Sequence, residues 1–88
     1  MLSQKINNQV ALIAYATVSN LFATFHNPKM RGENFSWDKF PDLAEGMVAT
    51  QVFCNVVCKD KKTQQEAEKH GKKYGREIAE NLVKEMTE

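Results

Sequence analysis

The residue types that most often carry chemistry in a small protein are cysteine and histidine, and this chain has two of each. Cys54 and Cys58 stand four residues apart inside an apolar run, whereas His26 and His70 are far from them and from each other. The spacing lacks the two-residue gap of common zinc motifs, and apolar surroundings disfavour the reactive thiolate. We therefore interpret both cysteines as packing residues and expect no metal site and no cofactor.

Other short motifs that signal catalysis are also missing from the sequence. It has no glycine-rich phosphate loop, no nucleophile elbow and no pair of carboxylates spaced for acid–base work. Tyr74 follows His70 by four residues, a spacing that on a helix indicates packing rather than proton transfer. The sequence therefore predicts a protein that acts by binding and is not an enzyme.

Cations and aromatic rings alternate in the segment 27–41, as they do in contact surfaces for proteins and nucleic acids. The single tryptophan lies here, and tryptophan and arginine are both enriched among binding hot spots. The candidate partner-binding residues are Arg31, Phe35, Trp37 and Phe40. The alternative is that these rings fold back as a lid over a small core.

Charge is unevenly distributed along the chain, although 12 basic and 11 acidic residues give a formal net charge of only +1. Residues 59–76 carry seven basic and three acidic groups, and residues 77–88 carry one basic and four acidic groups. A candidate anion-binding stripe on one side of a helix consists of Lys69, Lys72, Lys73 and Arg76. A solvated outer face with ion pairs four residues apart would produce the same pattern.

Three helices are predicted to hold these residues in place. The first covers residues 3–25 and ends before Asn27 and Pro28, because proline disfavours helix at the residue that precedes it. No charged residue occurs between Lys5 and Lys29, and apolar residues span about 200° of the helical wheel. Such a helix is expected to be buried on more than one side.

The second helix is predicted over residues 42–58, with Asp42 and Glu45 as a capping box. A β-strand is the competing interpretation for 52–57, where β-branched residues are frequent. The face expected to lie in the protomer core consists of Leu43, Met47, Cys54, Val57 and Cys58. The nearly opposite face, expected to form a dimer interface, consists of Val48, Val52 and Val56.

The third helix is predicted to begin at Thr63, which forms a capping box with Glu66 three residues later. It is amphipathic, with a narrow apolar stripe and a strongly charged outer side. Gly71 and Gly75 lie one turn apart beside that stripe. Since glycine weakens a helix, the pair indicates either that another backbone approaches closely or that the helix frays near Gly71.

These elements predict one all-α domain over residues 1–88, a three-helix bundle-like fold with an aromatic loop. One chain of this size cannot cover both apolar faces of the first two helices, so we expect a homodimer to complete the fold. Two cysteines are too few for a disulfide-dense secreted scaffold, and no run of apolar residues is long enough to span a bilayer. We therefore expect a cytoplasmic protein with no membrane contact.

The leading functional interpretation is a small helical protein–protein interaction module, such as an adaptor, regulator or inhibitor, that works as a homodimer. The alternative is a nucleic-acid-binding module that uses the basic third helix and the aromatic, basic loop. Salt separates the two, because binding to phosphates weakens steeply with salt whereas an apolar protein interface changes little.

Overall fold

Three α-helices carry most of residues 2–87, the part of the chain that the structure, a computed structural model, describes. The helices are α1 (Gln4–Phe25), α2 (Phe40–Asn55) and α3 (Lys61–Thr87), with two 3₁₀ turns, Pro28–Met30 and Trp37–Lys39, between α1 and α2. The starts of α1 and α3 lie side by side, and the end of α1 contacts the start of α2. The helices therefore run up, down and up, and the predicted all-α, three-helix bundle-like fold is confirmed.

The ends of α1 agree with the sequence prediction, whereas those of α2 do not. The hydroxyl of Ser3 accepts a hydrogen bond from the backbone N–H of Ile6 at 3.2 Å and caps α1. α2 begins at Phe40 and has no side-chain cap, and it ends at Asn55. The predicted start near Asp42 and end near residue 58 are therefore wrong. Pro41 is accommodated in the first turn of α2, where a backbone N–H is not required.

α3 begins at Lys61, two residues earlier than predicted, because Asp60 rather than Thr63 caps it. The carboxylate of Asp60 accepts hydrogen bonds from the backbone N–H of Thr63 at 2.8 Å and from the Thr63 hydroxyl at 2.9 Å. The Thr63 backbone N–H, followed by its hydroxyl, lowers the pKa of Asp60 below the ordinary 3.8. Thr63 is thus the third residue of the helix, and the predicted capping box at Thr63 is wrong.

The core is built mainly from small side chains that recur every four residues along each helix. α1 contributes Val10, Ala14 and Val18. α2 and the residue after it contribute Phe40, Ala44, Val48, Val52 and Val56. α3 contributes Ala67, Gly71, Gly75 and Ala79. Phe40 is the largest of the fully buried side chains, so the centre of the bundle is narrow.

Gly71 and Gly75 allow α2 to pack directly against α3. A Cβ atom added at Gly71 would lie 2.9 Å from Cγ2 of Val52, and one added at Gly75 would lie 2.8 Å from Cγ2 of Val48. Neither distance leaves room for a methyl group. α3 continues without a break through both glycines, so the predicted close approach is confirmed and the alternative of fraying is wrong.

The valine row of α2 is therefore part of the protomer core, and its assignment to a dimer interface is wrong. Val48, Val52 and Val56 are 0%, 0% and 2% exposed. The prediction placed the larger side chains inside, but Leu43 and Met47 remain 39% and 37% exposed. The reason is shape, because a glycine row on α3 accepts short, branched side chains and excludes long ones.

Two glycine-to-alanine substitutions separate this packing effect from helix propensity. Gly46 also lies inside a helix, but a Cβ there would meet nothing within 4 Å. We expect Gly46→Ala to raise the free energy of unfolding by about 0.8–1 kcal/mol through propensity alone. Gly75→Ala has the same propensity gain but should be about 1–3 kcal/mol less stable than Gly46→Ala, because it overpacks against Val48.

Chemical denaturation of the two variants and the parent protein measures this difference. Equal stabilisation by both substitutions would contradict the close packing of α2 on α3.

The Asp60 cap predicts a specific response to acid. Its folded-state pKa is depressed, so its contribution to stability is complete above the unfolded value and is lost as the pH falls through the folded value. We expect an NMR titration to give Asp60 a pKa below 3.8. In Thr63→Val this pKa should rise only part of the way back, because the backbone N–H that contributes most is retained. An ordinary pKa in the parent protein would show that Asp60 does not cap α3.

Candidate functional site

The segment between α1 and α2 folds back over one end of the bundle and forms an aromatic cluster there. The Phe25 ring stacks on Phe35 at 4.8 Å between centroids, and Phe35 meets Trp37 at 5.1 Å. Trp37 also contacts Phe22 and Phe40, at 5.4 Å and 5.3 Å. Such edge-on and offset contacts stabilise packing beyond the burial of area alone. This arrangement favours the lid interpretation of the loop.

Arg31 closes the outer side of the aromatic cluster. Its Nε donates a hydrogen bond to the backbone carbonyl of Phe25, and its guanidinium carbon lies 5.7 Å from the Phe35 ring centroid and 5.6 Å from that of Trp37. Its charge is thus engaged by groups within the protomer.

Only three of the four predicted partner-binding residues keep any accessible surface. Phe40 is 0% exposed, so its assignment as a partner-binding residue is wrong. Arg31, Phe35 and Trp37 are half-buried, and they pack on one another and on α1.

Arg76, predicted as part of the anion-binding stripe, is bound by acidic side chains instead. Its Nε donates to Glu45 at 2.8 Å, its Nη2 pairs with Asp42 and Glu45, and its Nη1 lies 3.5 Å from Glu80. Asp42 first and Glu45 second raise the pKa of Arg76 above its ordinary value. Arg76 therefore joins α3 to the first turns of α2, and its assignment as an anion-binding residue is wrong.

The same contacts explain the role of Asp42 and Glu45, which sequence reasoning assigned to a helix cap. The antiparallel pairing of α2 with α3 brings the acidic start of α2 beside Arg76 of α3. These residues are neighbours only in the folded protein and not in the sequence. A capping box and a cross-helix ion pair use the same residue types at the same spacing. The sequence pattern therefore did not distinguish them.

The three remaining residues of the predicted stripe are exposed on the outer side of α3. Lys69, Lys72 and Lys73 lie in the first half of the helix, near the start of α1. The aromatic cluster lies at the opposite end of the bundle, at the end of α1 and the start of α2. The basic stripe and the aromatic loop therefore do not form one surface, as a combined nucleic-acid site would require.

α1 and α2 expose apolar side chains on the side that faces away from α3. A shallow groove between these two helices is lined in part by Ile13, Leu21 and Met47. The apolar residues that line this groove are Ile13, Ala16, Leu21 and Met47. We call them, together with the exposed Leu12 next to Ile13 and the exposed Leu43 one turn before Met47, the uncharged face. Neither residues 6–28 nor residues 46–58 contain Asp, Glu, Lys or Arg. Leu12 is 70% exposed.

The cysteines, histidines and Tyr74 do not converge on a reactive site. Cys54 is exposed, so its interpretation as a core packing residue is wrong, whereas Cys58 is half-buried and packs against the core. His26 Nδ1 lies 2.7 Å from a backbone carbonyl, and Tyr74 donates a hydrogen bond to Asn7 at 2.8 Å that joins α3 to α1. Among residues 2–87, no three His, Cys, Asp or Glu side chains are grouped to hold a metal ion.

Within the described residues, none of the helices combines the length and the hydrophobicity that a bilayer crossing requires.

The packing of Trp37 predicts its spectroscopic and energetic behaviour. We expect blue-shifted tryptophan emission in the free protein, and Trp37→Ala should lower the free energy of unfolding by about 2–3 kcal/mol, somewhat less than for a fully buried ring. Phe53→Ala is the control, because Phe53 is 67% exposed and should change stability by no more than about 0.5 kcal/mol. Solvent-exposed emission together with unchanged stability of Trp37→Ala would contradict the lid.

Comparisons with protein-family models, with curated proteins and with solved structures gave no match to this chain. The functional conclusion therefore depends on the geometry of its surfaces.

Proposed function

We propose that the protein is a small cytoplasmic interaction module that acts by binding other protein surfaces and that works as a homodimer. The observation that supports this proposal is the uncharged face, where large apolar side chains stay exposed on two adjacent helices. Leu12, Leu43 and Met47 are 70%, 39% and 37% exposed. A contiguous apolar surface on a small domain is typical of an interaction site.

The composition of the uncharged face also resembles that of a protein interface more than that of a solvated surface. The centres of protein interfaces are depleted in charged residues and enriched in methionine and aromatic residues, with polar groups at the rim. Here Met47 lies in the groove, and Thr17, Asn20, Gln51 and Asn55 supply uncharged hydrogen-bonding groups along the same groove. A partner can therefore cover this surface without leaving a charge buried and unpaired.

A second copy of the chain is the partner that fits this surface most directly. In a two-fold dimer the same surface is used on both sides, so charges near the axis meet their own like charges. The uncharged face avoids that repulsion. Pairing it with itself packs α1 and α2 of one protomer onto α1 and α2 of the other, and these four helices would form two layers as in a four-helix bundle.

The whole side of α1 and α2 that faces away from α3, of which the uncharged face is a part, has the size that a dimer interface needs. The 16 residues of α2 and 22 of α1 give lengths of about 24 and 33 Å at about 1.5 Å per residue, and two helices are about 20 Å wide. The projected area is then about 500–650 Å², and the accessible area is larger because side chains project from it. Specific interfaces bury about 800 Å² on each partner.

Light scattering of the purified protein tests the dimer and its interface. We expect a mass near 20 kDa at micromolar concentration, twice the 10.0 kDa of the chain. Met47→Lys places an unpaired charge in the groove and should give a folded species near 10 kDa. Phe53→Lys is the matched control, since Phe53 lies about 120° around the same helix from Met47 and should leave the dimer intact.

Circular dichroism verifies that both variants keep their helices. A parent protein that stays near 10 kDa would contradict the dimer. Equal dissociation of Met47→Lys and Phe53→Lys would contradict its location on the uncharged face.

A further inference from the structure

The first half of α3 displays lysines on the side of the bundle opposite the uncharged face. We call this surface the lysine face, and its exposed members are Lys62, Lys69, Lys72 and Lys73. The opposite side of α3 packs on α1 and α2, as the approach of Gly71 to Val10 of α1 and to Val48 and Val52 of α2 shows. The lysine face therefore stays accessible when the uncharged face is covered.

We propose that the lysine face binds double-stranded nucleic acid through its phosphates, without reading the base sequence. This proposal does not rest on the dimer, since each protomer carries a complete lysine face.

The helix dipole does not account for the position of these lysines. The first turn of α3 contains Lys61 and Lys62 and no acidic residue, whereas the helix dipole favours acidic residues there. At the ends of the helix, the Asp60 carboxylate and Lys84 are favourably placed. Lys69, Lys72 and Lys73 lie beyond the first turn, where the dipole no longer acts, so stabilisation of the helix ends does not explain them.

The rest of the fold does not supply enough acidic groups to neutralise the lysines. α2 contains two acidic residues, Asp42 and Glu45, and both are bound to Arg76. α1 contains no acidic residue. Within residues 59–75 there are six lysines and three acidic residues, so this end of α3 keeps a net positive charge in spite of the nearly neutral chain.

Duplex phosphates match this surface better than a membrane does. A helix that lies on a membrane inserts its apolar side into the lipid, but the apolar side of α3 is packed on α1 and α2. Lys62 and Lys73 are eleven residues apart, a separation of about 16 Å along the helix. A duplex carries one negative charge per about 1.7 Å of its axis, so one duplex can contact several of these lysines together.

The residue types on the lysine face favour phosphate contacts over base recognition. Lysine is a point charge on a flexible stem, whereas base reading relies mainly on bidentate Arg, Asn or Gln contacts and on aromatic stacking. Arg76 is held by α2, and the Tyr74 hydroxyl is bound to Asn7. Binding should therefore depend on charge and salt and very little on sequence.

Fluorescence anisotropy with a labelled mixed-sequence DNA duplex tests the proposal. We expect weak binding that falls steeply between about 50 and 200 mM salt. Lys69→Gln/Lys72→Gln/Lys73→Gln should lower the slope of log affinity against log salt by about 0.9 for each lysine lost. The matched control, Lys29→Gln/Lys39→Gln/Lys84→Gln, removes the same charge from the opposite end of the bundle and should keep the parent slope.

Three outcomes would overturn the proposal. They are the absence of saturable binding at about 50 mM salt, equal loss of binding in the two triple variants, and displacement of the duplex by polyglutamate as readily as by unlabelled duplex. The second outcome would indicate a bulk charge effect, and the third would indicate an acidic protein segment as the partner. Circular dichroism shows whether each variant remains folded.

Discussion

The contact between the valine row of α2 and the glycine row of α3 is the constraint on which the rest of the structure depends. Val48 and Val52 lie so close to Gly71 and Gly75 that no side chain fits between them. Dispersion contacts at this distance are numerous, and they hold two helices together without large core residues. Because the valines occupy the inner side of α2, the longer side chains of Leu43 and Met47 must lie outside. The exposed apolar surface is therefore a consequence of tight packing elsewhere.

The separation of charge between the two sides of the molecule follows from the same contact. α3 is the charged helix, and its glycine row turns its one uncharged side toward α1 and α2. Its charged groups must then point outward. α2 has charged side chains only near its start, at Asp42 and Glu45, and Arg76 binds both of them at the edge of the α2–α3 contact. What remains on the other side of α1 and α2 is a surface that water solvates poorly.

Sequence reasoning identified the elements of the fold better than the faces they use. Helix number, the ends of α1 and the close approach at Gly71 and Gly75 all follow from local rules of capping, proline and glycine. The inner face of α2 did not, since hydrophobic size favours Leu43 and Met47 while the shape of α3 favours Val48 and Val52. The predicted capping roles of Thr63 and Asp42 were wrong for a related reason. Each residue belongs to a valid local cap pattern, but Thr63 is bound by Asp60 and Asp42 is bound by Arg76. The choice between a lid and a recognition surface for the loop could be made only from three-dimensional contacts, because the same sequence of aromatic residues is compatible with stacked rings and with solvated rings.

The uncharged face and the lysine face depend on different interactions, apolar burial and charge attraction, so both can operate in one small protein. Apolar association is insensitive to moderate salt, whereas phosphate contacts weaken because the cations of the salt compete with the lysines for the phosphates. A dimer joined at its uncharged faces would direct two lysine faces outward, one on each copy. Because these two faces point in opposite directions, one short, stiff duplex would contact only one of them, and a dimer would instead bring two duplex segments together. The dimer would thus act as a bridge between two nucleic-acid segments, each held by salt-sensitive phosphate contacts and without any specific base contact.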